Sequence, residues 1–442
     1  MLAPNSKLMR TQYLHSCRLI IFLCVAAFGP YVVPAAGLRL EHFVIYGSLF
    51  YLVMLRILSH GNTTIPKNIF LLAILCLAVP FWVLLVSLEN LSWARPYNIL
   101  AALENFTQPA ALVVVMFLLM QPLDRLEKLN LLRVAGITII VMLFLNSLIA
   151  MLTIFYNTWP FVRYFTVAGD VGFEIVPVWQ RAASMGRFSG IFNQPVEAGL
   201  VYSLGMLCWV YLATTSKRIS SIGWLSLIMI IIGGVLAVSK SFILGGFPLA
   251  ILYWLTTALN QSLIRKSTVI GLMIWGFGGM TLAIFLAHSW SGLDYFLRFF
   301  RSDSYDKSVV HLITSGRFGG GEESITAPLF IKTWSESPIM GFGVPSRFSN
   351  VLDNAYIEFF LYGGVVGLAF YAAILVSILS VALSGLRNDP KLGRLLIAVW
   401  ILIIGTGLGA PVITLNRSSI CLWVILVIIF AALSKTNSRG KA

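Results

Sequence analysis

The residues best suited to chemistry lie between Ser315 and Ala372. This stretch contains Arg317, the run Gly319-Gly320-Gly321 and Arg347, and it ends in a helix-length apolar run. Polar side chains mark the start of that run: Asp353, Asn354, Tyr356 and Glu358. Guanidinium groups bind phosphate through paired hydrogen bonds and stay charged, and a neighbouring carboxylate could accept a proton from a hydroxyl group. The stretch therefore predicts a water-facing site for an anionic substrate at a membrane surface.

A second polar set precedes the apolar run that starts at residue 196. It comprises Arg181, Arg187, Asn193 and Glu197. Pro195 suits the first turn of a helix, Asn193 or Gln194 could cap it, and Glu197 would then meet the positive end of the helix dipole. Glu197 is also a candidate substrate-binding acid, because a carboxylate just inside a membrane is costly unless it is paired or functional.

Simpler roles remain open for these groups. The arginines could bind phosphate, contact lipid headgroups, or pair with acidic residues of the same loops. The glycine run could form an anion-binding nest or a flexible hinge. Asp353 could act as a general base or cap the helix that follows it.

The composition is typical of a membrane protein. Of 442 residues, 58% are hydrophobic and only 11% are charged, and the mean hydropathy is +0.88. A soluble domain carries about 25% charged residues. Apolar runs of about 18 or more residues recur along the chain, and they are continuous rather than alternating, which favours membrane helices over a β-barrel.

The net charge of +14 does not indicate nucleic-acid binding. Most basic residues lie in short loops between apolar runs, where membrane topology accounts for them. The five cysteines show neither a disulfide pattern nor zinc-ligand spacing, and the histidines are scattered. The sequence therefore indicates no metal site and no cofactor.

The predicted fold is an all-α polytopic membrane protein with about twelve transmembrane helices. The spans are placed at 19–37, 40–58, 69–88, 99–120, 132–153, 196–213, 221–238, 241–258, 268–288, 354–384, 394–410 and 418–434. Two long loops separate groups of spans. Short helices are expected in both long loops, and in the second they are placed over Leu293–Arg301 and Thr326–Trp334.

Five parts follow from these spans. Helices one to five occupy 1–153, a first long loop 154–195, helices six to nine 196–288, a second long loop 289–353, and helices ten to twelve 354–442. Placing both termini in the cytoplasm leaves few basic residues in the short outer segments, as the positive-inside rule requires. Those residues are Arg39, Arg95, Lys240 and Arg417. Both long loops then face outward.

The ordered motifs carry a family resemblance. The segment W-x-E-S-P-I-M-G-F-G from Trp334 is followed, after a spacer, by D-N-A-Y-I-E-F-F-L-Y-G-G-V-V-G-L-A-F from Asp353. The earlier G-R-F-S-G-I-F-N-Q-P ends at Pro195. Together these pieces resemble the bacterial O-antigen polymerase and O-antigen ligase superfamily, and roughly residues 181–385 carry the resemblance.

The resemblance implies a metal-independent glycosyltransferase of the bacterial inner membrane with its active site facing the periplasm. Its substrate would be an oligosaccharide on undecaprenyl diphosphate, and its partners membrane lipids, a chain-length regulator and a flippase. Arg187 and Arg317 would hold the diphosphate. Asp353 and Glu358 complete the expected catalytic set, with Arg181, Arg347, Asn193, Glu197, Asn354 and Tyr356 as binding residues.

Two alternatives stay open at this stage. Ligases of the superfamily usually carry His before the Asn where this chain has Asp353, so polymerase is favoured over transfer of polymer to lipid A–core. A transporter or flippase of about twelve helices belongs to another class. It predicts ionisable residues in mid-membrane and short outer loops, whereas this chain has few of the former and two long loops.

Overall fold

The computed structural model describes residues 6–33, 38–58, 66–90, 96–166, 177–216, 219–259, 326–344 and 354–434. Within these ranges the protein is a bundle of α-helices with one small β-hairpin. The first part contains α1 (Ser6–Ala26), β1 (Tyr31–Val33), β2 (Leu38–Arg39), α2 (Leu40–Leu58), α3 (Lys67–Glu89), α4 (Pro96–Met120) and α5 (Arg125–Phe155).

The rest of the described chain follows the same helical pattern. Its elements are α6 (Trp159–Val162), α7 (Val178–Ser184), α8 (Pro195–Thr215), α9 (Ser221–Leu236), a π-helix (Ser241–Gly246), α10 (Phe247–Leu259), α11 (Thr326–Glu336), α12 (Ala355–Asn388), α13 (Pro390–Gly407) and α14 (Asn416–Leu433). Short helices therefore occur in both long loops, as predicted. The predicted helix at 293–301 lies outside the described residues.

Seven of the described helices are long and apolar enough to cross a membrane, and further apolar helices are shorter. This architecture is consistent with an all-α membrane protein. Every predicted span except 268–288 overlaps a described helix, and 268–288 lies outside the described residues.

Helix α14 forms the centre of the bundle. Every residue from Ile420 to Phe430 is completely buried, as expected for a helix that is apolar on all sides. It packs on α4, α5 and α8, while α12 packs on α3 and α13. The C-terminal span is therefore a core element surrounded by the others.

The predicted first span, 19–37, is wrong at its C-terminal end. Helix α1 ends at Ala26, and the chain turns through Gly29 and Pro30 into β1, which pairs antiparallel with β2. Proline cannot donate the next helical hydrogen bond, and hydropathy alone does not register this. The carbonyl of Pro30 instead accepts from the Leu40 N–H at 3.2 Å, so the hairpin closes directly onto α2.

Helix α12 is broken near its start, at Gly364, where φ is +60° and ψ is −154°. The segment Pro338–Val344 lies along this break. Phe342 N donates to the carbonyl of Leu361 at 2.8 Å, and Val365 N donates to the carbonyl of Pro338 at 2.9 Å. The glycine-rich motifs that carry the family resemblance are thus engaged in backbone pairing, which satisfies polar groups that the broken helix leaves free.

Segments assigned to the same side by the sequence analysis meet at one end of the bundle. At the end where α1, α5, α9 and α13 finish, here called the loop-rich end, Tyr31 N donates to the carbonyl of Tyr164 at 2.8 Å. There Val344 N also donates to Ser87 Oγ at 3.0 Å. At the opposite end Arg125 Nη2 contacts Asp389 Oδ2 at 2.7 Å. The loop-rich end contains the candidate site.

Substitution of Gly364 by alanine is expected to destabilise the protein by about 3 kcal/mol, because a Cβ would collide with the carbonyl of Ile339 and the backbone lies in a region almost restricted to glycine. A Cβ at Gly47, in α2, would meet no atom within 4 Å. Gly47→Ala is therefore the matched control and should be neutral or stabilising. Thermal unfolding in detergent measures both, and equal melting temperatures would contradict this reading of the break.

Candidate functional site

A cavity of about 650 Å³ opens at the loop-rich end, between the segment before α8, the start of α10 and the end of α13. Its polar lining is Arg187, Gln194, Ser239, Lys240, Ser241 and Thr406. Its apolar lining includes Leu244, Pro248, Leu249, Leu252, Ile401 and Leu402. The lining therefore combines two cations and four neutral polar side chains with an apolar surface.

Arg187 and Lys240 reach the cavity from different elements. Arg187 follows α7, and its Nη2 donates to the carbonyl of Val238 at 3.3 Å. Lys240 lies in the turn between α9 and the π-helix, so both cations border the same short turn. Two positive side chains at the beginning of a helix create a favourable environment for an anion.

The turn that carries Lys240 is conformationally unusual. Val238 has φ of +44°, a rare value for a β-branched residue. The π-helix Ser241–Gly246 follows directly, and the hydroxyls of Ser239 and Ser241 lie 2.6 Å apart. Strained backbone and π-helical turns are enriched at functional sites. This geometry makes the turn a candidate for binding rather than a simple connection.

The apolar wall continues away from the cations. Leu244, Pro248 and Leu252 recur at the spacing of one helical face over about two turns. Leu244 is 52% exposed and Leu252 is 54% exposed. The cavity is therefore open along α10, with a polar end and an apolar flank.

The start of α12 packs on the other side of the α13 segment that lines the cavity. Asn354 Nδ2 donates to the carbonyl of Leu408 at 3.0 Å, and Tyr356 OH donates to the carbonyl of Ile404 at 3.1 Å. Leu408 itself lines the cavity. The beginning of α12 is thus one residue layer from the cavity.

Asn354 caps α12, with its Oδ1 accepting from the Ile357 N–H at 3.1 Å. The alternative in which Asp353 caps this helix is therefore wrong. The helix starts one residue later than that cap requires, and an asparagine performs the role equally well. Asp353, Arg317 and Arg347 lie outside the described residues, so their predicted roles stay predictions.

The remaining predicted residues fall in three environments. Glu358 is half-buried, and its Oε2 accepts from Thr414 Oγ1 at 3.4 Å. Arg181 is exposed at the end of α7 and does not line the cavity. Glu197 is 1% exposed and accepts from the Asn193 N–H at 3.2 Å. Of the predicted set that the structure describes, only Arg187 borders the cavity.

Helix α8 begins as the sequence predicts, with both Pro195 and Glu197 in its first turn. Gln194 occupies the N-cap position, but its side chain makes no capping hydrogen bond. The Glu197 carboxylate instead accepts a hydrogen bond from the Asn193 N–H. A side chain within the helix therefore bonds the backbone just before its start.

A buried charge cluster lies beneath the β-hairpin. The guanidinium of Arg39 contacts Glu41 Oε1 at 2.9 Å, and His42 Nε2 contacts Glu104 Oε1 at 2.9 Å. Arg417, 2% exposed, donates through Nη1 to the carbonyl of Ile191 at 2.9 Å. Charges buried to this degree persist only when they are paired or hydrogen-bonded.

Tyr31 covers this cluster from β1. The guanidinium carbon of Arg417 lies 5.3 Å from the centre of its ring, within range of a cation–π interaction. Burial raises the pKa of the Tyr31 phenol, although the positive charges of Arg39 and Arg417 act in the opposite direction. The phenol therefore stays neutral at physiological pH.

From the sequence, three of these cations were interpreted only as evidence for the membrane topology. Lys240, Arg39 and Arg417 were the exceptions among the short outer segments, where basic residues are rare. The structure places Lys240 in the cavity and both arginines in the buried cluster. Their location in short outer segments was itself a signal in the sequence. Membrane topology does not account for a basic residue there, so such a residue must have another role.

No model of a known protein family matches the chain, and no curated protein matches it. The relationship to the O-antigen polymerase and ligase superfamily therefore stays a prediction from the ordered motifs. Within the described ranges, no group of three or more His, Cys, Asp or Glu side chains is arranged to hold a metal ion.

Glu41→Gln is expected to destabilise the protein by about 3–5 kcal/mol, because it leaves the Arg39 guanidinium buried without its closest counter-charge. The matched control is Glu336→Gln, which removes a 4.0 Å pair with Lys332 on the surface of α11. That change should cost less than about 0.5 kcal/mol. Thermal unfolding of both variants in detergent tests the contrast, and a tolerant Glu41→Gln variant would show that the cluster is not stabilised by this pair.

Proposed function

We propose that this protein is a polymerase of a surface polysaccharide such as an O-antigen, a capsule or an exopolysaccharide. It transfers the growing glycan from undecaprenyl diphosphate to the non-reducing end of a new lipid-linked repeat unit. The observation that supports this most directly is the shape of the cavity, with Arg187 and Lys240 at one end and an apolar flank along α10. A lipid with an anionic head and a long apolar tail has the same distribution of polarity.

The chemistry required is displacement at the anomeric carbon of the donor glycan. The acceptor hydroxyl forms the new glycosidic bond, the bond to the diphosphate breaks, and direct displacement inverts the carbon. Negative charge grows on the departing diphosphate, so fixed cations lower the barrier without a metal ion. Arg187 and Lys240 supply that charge in the described part of the chain, and Arg317 is expected to add to it.

The acceptor hydroxyl also has to lose a proton. Asp353 is the candidate base, and it immediately precedes Asn354, which bonds to the carbonyl of the cavity-lining Leu408. A base must come within about 3 Å of the proton that it removes. Its position in the sequence, one residue before Asn354, supports this assignment.

In the cell, the proposed enzyme lies in the bacterial inner membrane with both termini in the cytoplasm, and the loop-rich end faces the periplasm. Completed repeat units on undecaprenyl diphosphate reach it at that face. A ligase would use the same donor and differ in its acceptor, lipid A–core. A strain that lacks the polymerase makes lipopolysaccharide capped with single repeats, whereas a strain that lacks the ligase accumulates unattached polymer.

Lys240→Ala and Arg187→Ala are each expected to abolish long-chain polymer, because each removes a cation from the proposed diphosphate site. Lys240→Arg keeps the charge and should retain part of the activity. The measurement is the polysaccharide banding pattern of a deletion strain complemented with each variant, at matched protein levels in the membrane.

Lys332→Ala is the control for these variants, since Lys332 lies on the surface of α11 and does not line the cavity. It should restore the wild-type pattern. Normal long-chain polymer from both cavity variants would overturn the assignment of the site. Loss of polymer with Lys332→Ala as well would show that charge in general, rather than this cavity, is required.

Asp353→Asn is expected to abolish polymerisation while leaving the thermal stability unchanged. The cap of α12 is provided by Asn354, so the substitution removes a carboxylate without removing a helix cap. Activity in membranes and the melting temperature of the purified variant give the two readouts. A fully active Asp353→Asn enzyme would exclude Asp353 as the base.

A further inference from the structure

The segment from Arg187 to Gln194 crosses the loop-rich end without regular secondary structure, yet its backbone is extensively bonded. Phe188 N donates to the carbonyl of Leu236 at 2.8 Å. Trp179 Nε1 donates to the carbonyl of Gly190 at 2.7 Å. Buried irregular backbone is stable only when its polar groups find such partners.

Ile191 is held on both sides of its backbone by side chains from two different helices. Its N–H donates to Oδ1 of Asn146, on α5, at 2.8 Å. Its carbonyl accepts from Nη1 of Arg417, on α14, at 2.9 Å. The name Ile191 clamp is used below for Asn146 and Arg417 together with this peptide.

Asn146 also bonds the residue on the other side of Gly190. Its Nδ2 donates to the carbonyl of Ser189 at 3.2 Å and to the hydroxyl of Tyr202 at 3.0 Å. One buried amide thus pairs with the segment as a neighbouring strand would. Its orientation is set by Tyr202, which is itself 3.0 Å from Ser147 Oγ.

Gly190 makes this approach possible. Its φ is +65°, and a Cβ at this position would collide with the Asn146 side chain. The segment therefore fits against α5 in one register only, with Ser189 and Ile191 bonded and Gly190 facing the amide.

Burying the Arg417 guanidinium costs solvation free energy, and only one carbonyl accepts a hydrogen bond from it. It is 2% exposed, and its Nε and Nη2 have no hydrogen-bond partner among the residues that the structure describes. Glu197 and the ring of Tyr31 compensate part of its charge. For packing alone, a neutral apolar residue would be at least as stabilising at this position. The hydrogen bond from Arg417 to Ile191 therefore requires an explanation other than packing.

We propose that Asn146 and Arg417 are positioning residues, which hold the Ile191 peptide so that Arg187 stands at the mouth of the cavity. The role given to Arg187 rests on the proposed function, whereas the hydrogen bonds of the Ile191 clamp are independent of that function. Neither residue touches the cavity. Both act through the backbone of the segment that leads into α8.

The first test is amide hydrogen exchange of the full-length protein in lipid nanodiscs, followed by mass spectrometry of peptides covering 187–194. Asn146→Ala and Arg417→Met should each accelerate exchange in this segment by about tenfold or more, because each releases a bonded peptide group. Thr138→Ala is the matched control. It removes a side-chain hydrogen bond within α5, to the carbonyl of Val134 at 2.9 Å, and it should leave exchange in 187–194 unchanged.

Two conservative variants keep the test decisive if a truncated variant does not fold. Arg417→Lys retains a positive donor and should restore most of the protection, whereas Asn146→Asp retains the acceptor for Ile191 but loses the donor to Ser189 and should restore only part of it. Unchanged exchange in 187–194 for both Asn146→Ala and Arg417→Met would overturn the clamp.

The second test asks whether the clamp acts through Arg187. Asn146→Ala should lower polymer yield by a smaller factor in an Arg187→Lys background, which keeps the positive charge and part of the activity, than in the wild-type background, because the guanidinium that it positions is already absent. Additive losses would overturn the positioning role. If Arg187→Ala alone makes normal polymer, the proposed function fails, while the exchange measurement still decides the clamp.

Discussion

The structure depends on one constraint, which is that backbone groups leaving a helix inside an apolar bundle must still be hydrogen-bonded. Two irregular segments at the loop-rich end satisfy this hydrogen-bonding constraint in different ways. Pro338–Val344 pairs with the broken start of α12, whereas Arg187–Gln194 is bonded by side chains from α5 and α14. Both segments contain glycines with positive φ, because the close approach of two backbones leaves no room for a Cβ. The shape of the cavity follows from where these segments are fixed.

Each described cation in the short outer segments at this end has a specific environment. Arg39 is paired with Glu41, Arg417 bonds the Ile191 peptide, and Lys240 borders the cavity beside Arg187. Burying the first two costs solvation energy that only pairing and hydrogen bonds offset. Lys240 and Arg187 remain half-buried at a polar opening above an apolar groove. This separation of charge from apolar surface is what would let the site favour an amphiphilic anion over a soluble one.

Hydropathy predicted the position of nearly every long apolar helix that the structure describes, because long apolar runs carry a strong signal. Hydropathy failed where a single residue determines where a helix begins or ends. Pro30 ends α1 early, and Asn354 rather than Asp353 caps α12. The glycines at 341, 343 and 364 were interpreted through a resemblance, but their local role is backbone pairing, a long-range relation that no local pattern reveals. Arg187 was predicted as a site residue, whereas Lys240 was missed because its turn between two apolar runs is too short to read as a site. Asn146 was missed because one amide within an apolar helix has no sequence neighbour that explains it.

The most direct test of the account is photocrosslinking from inside the cavity. A photoreactive phenylalanine analogue at Leu249, which lines the apolar wall, is compared with the same analogue at Leu255, which is 41% exposed on α10 but outside the cavity. In membranes supplied with undecaprenyl-diphosphate-linked oligosaccharide, the account predicts a glycan-bearing crosslink at 249, its loss when Arg187 and Lys240 are both replaced by alanine, and none at 255. Equal crosslinking at the two positions, or crosslinking at 249 that survives the loss of both cations, would contradict it.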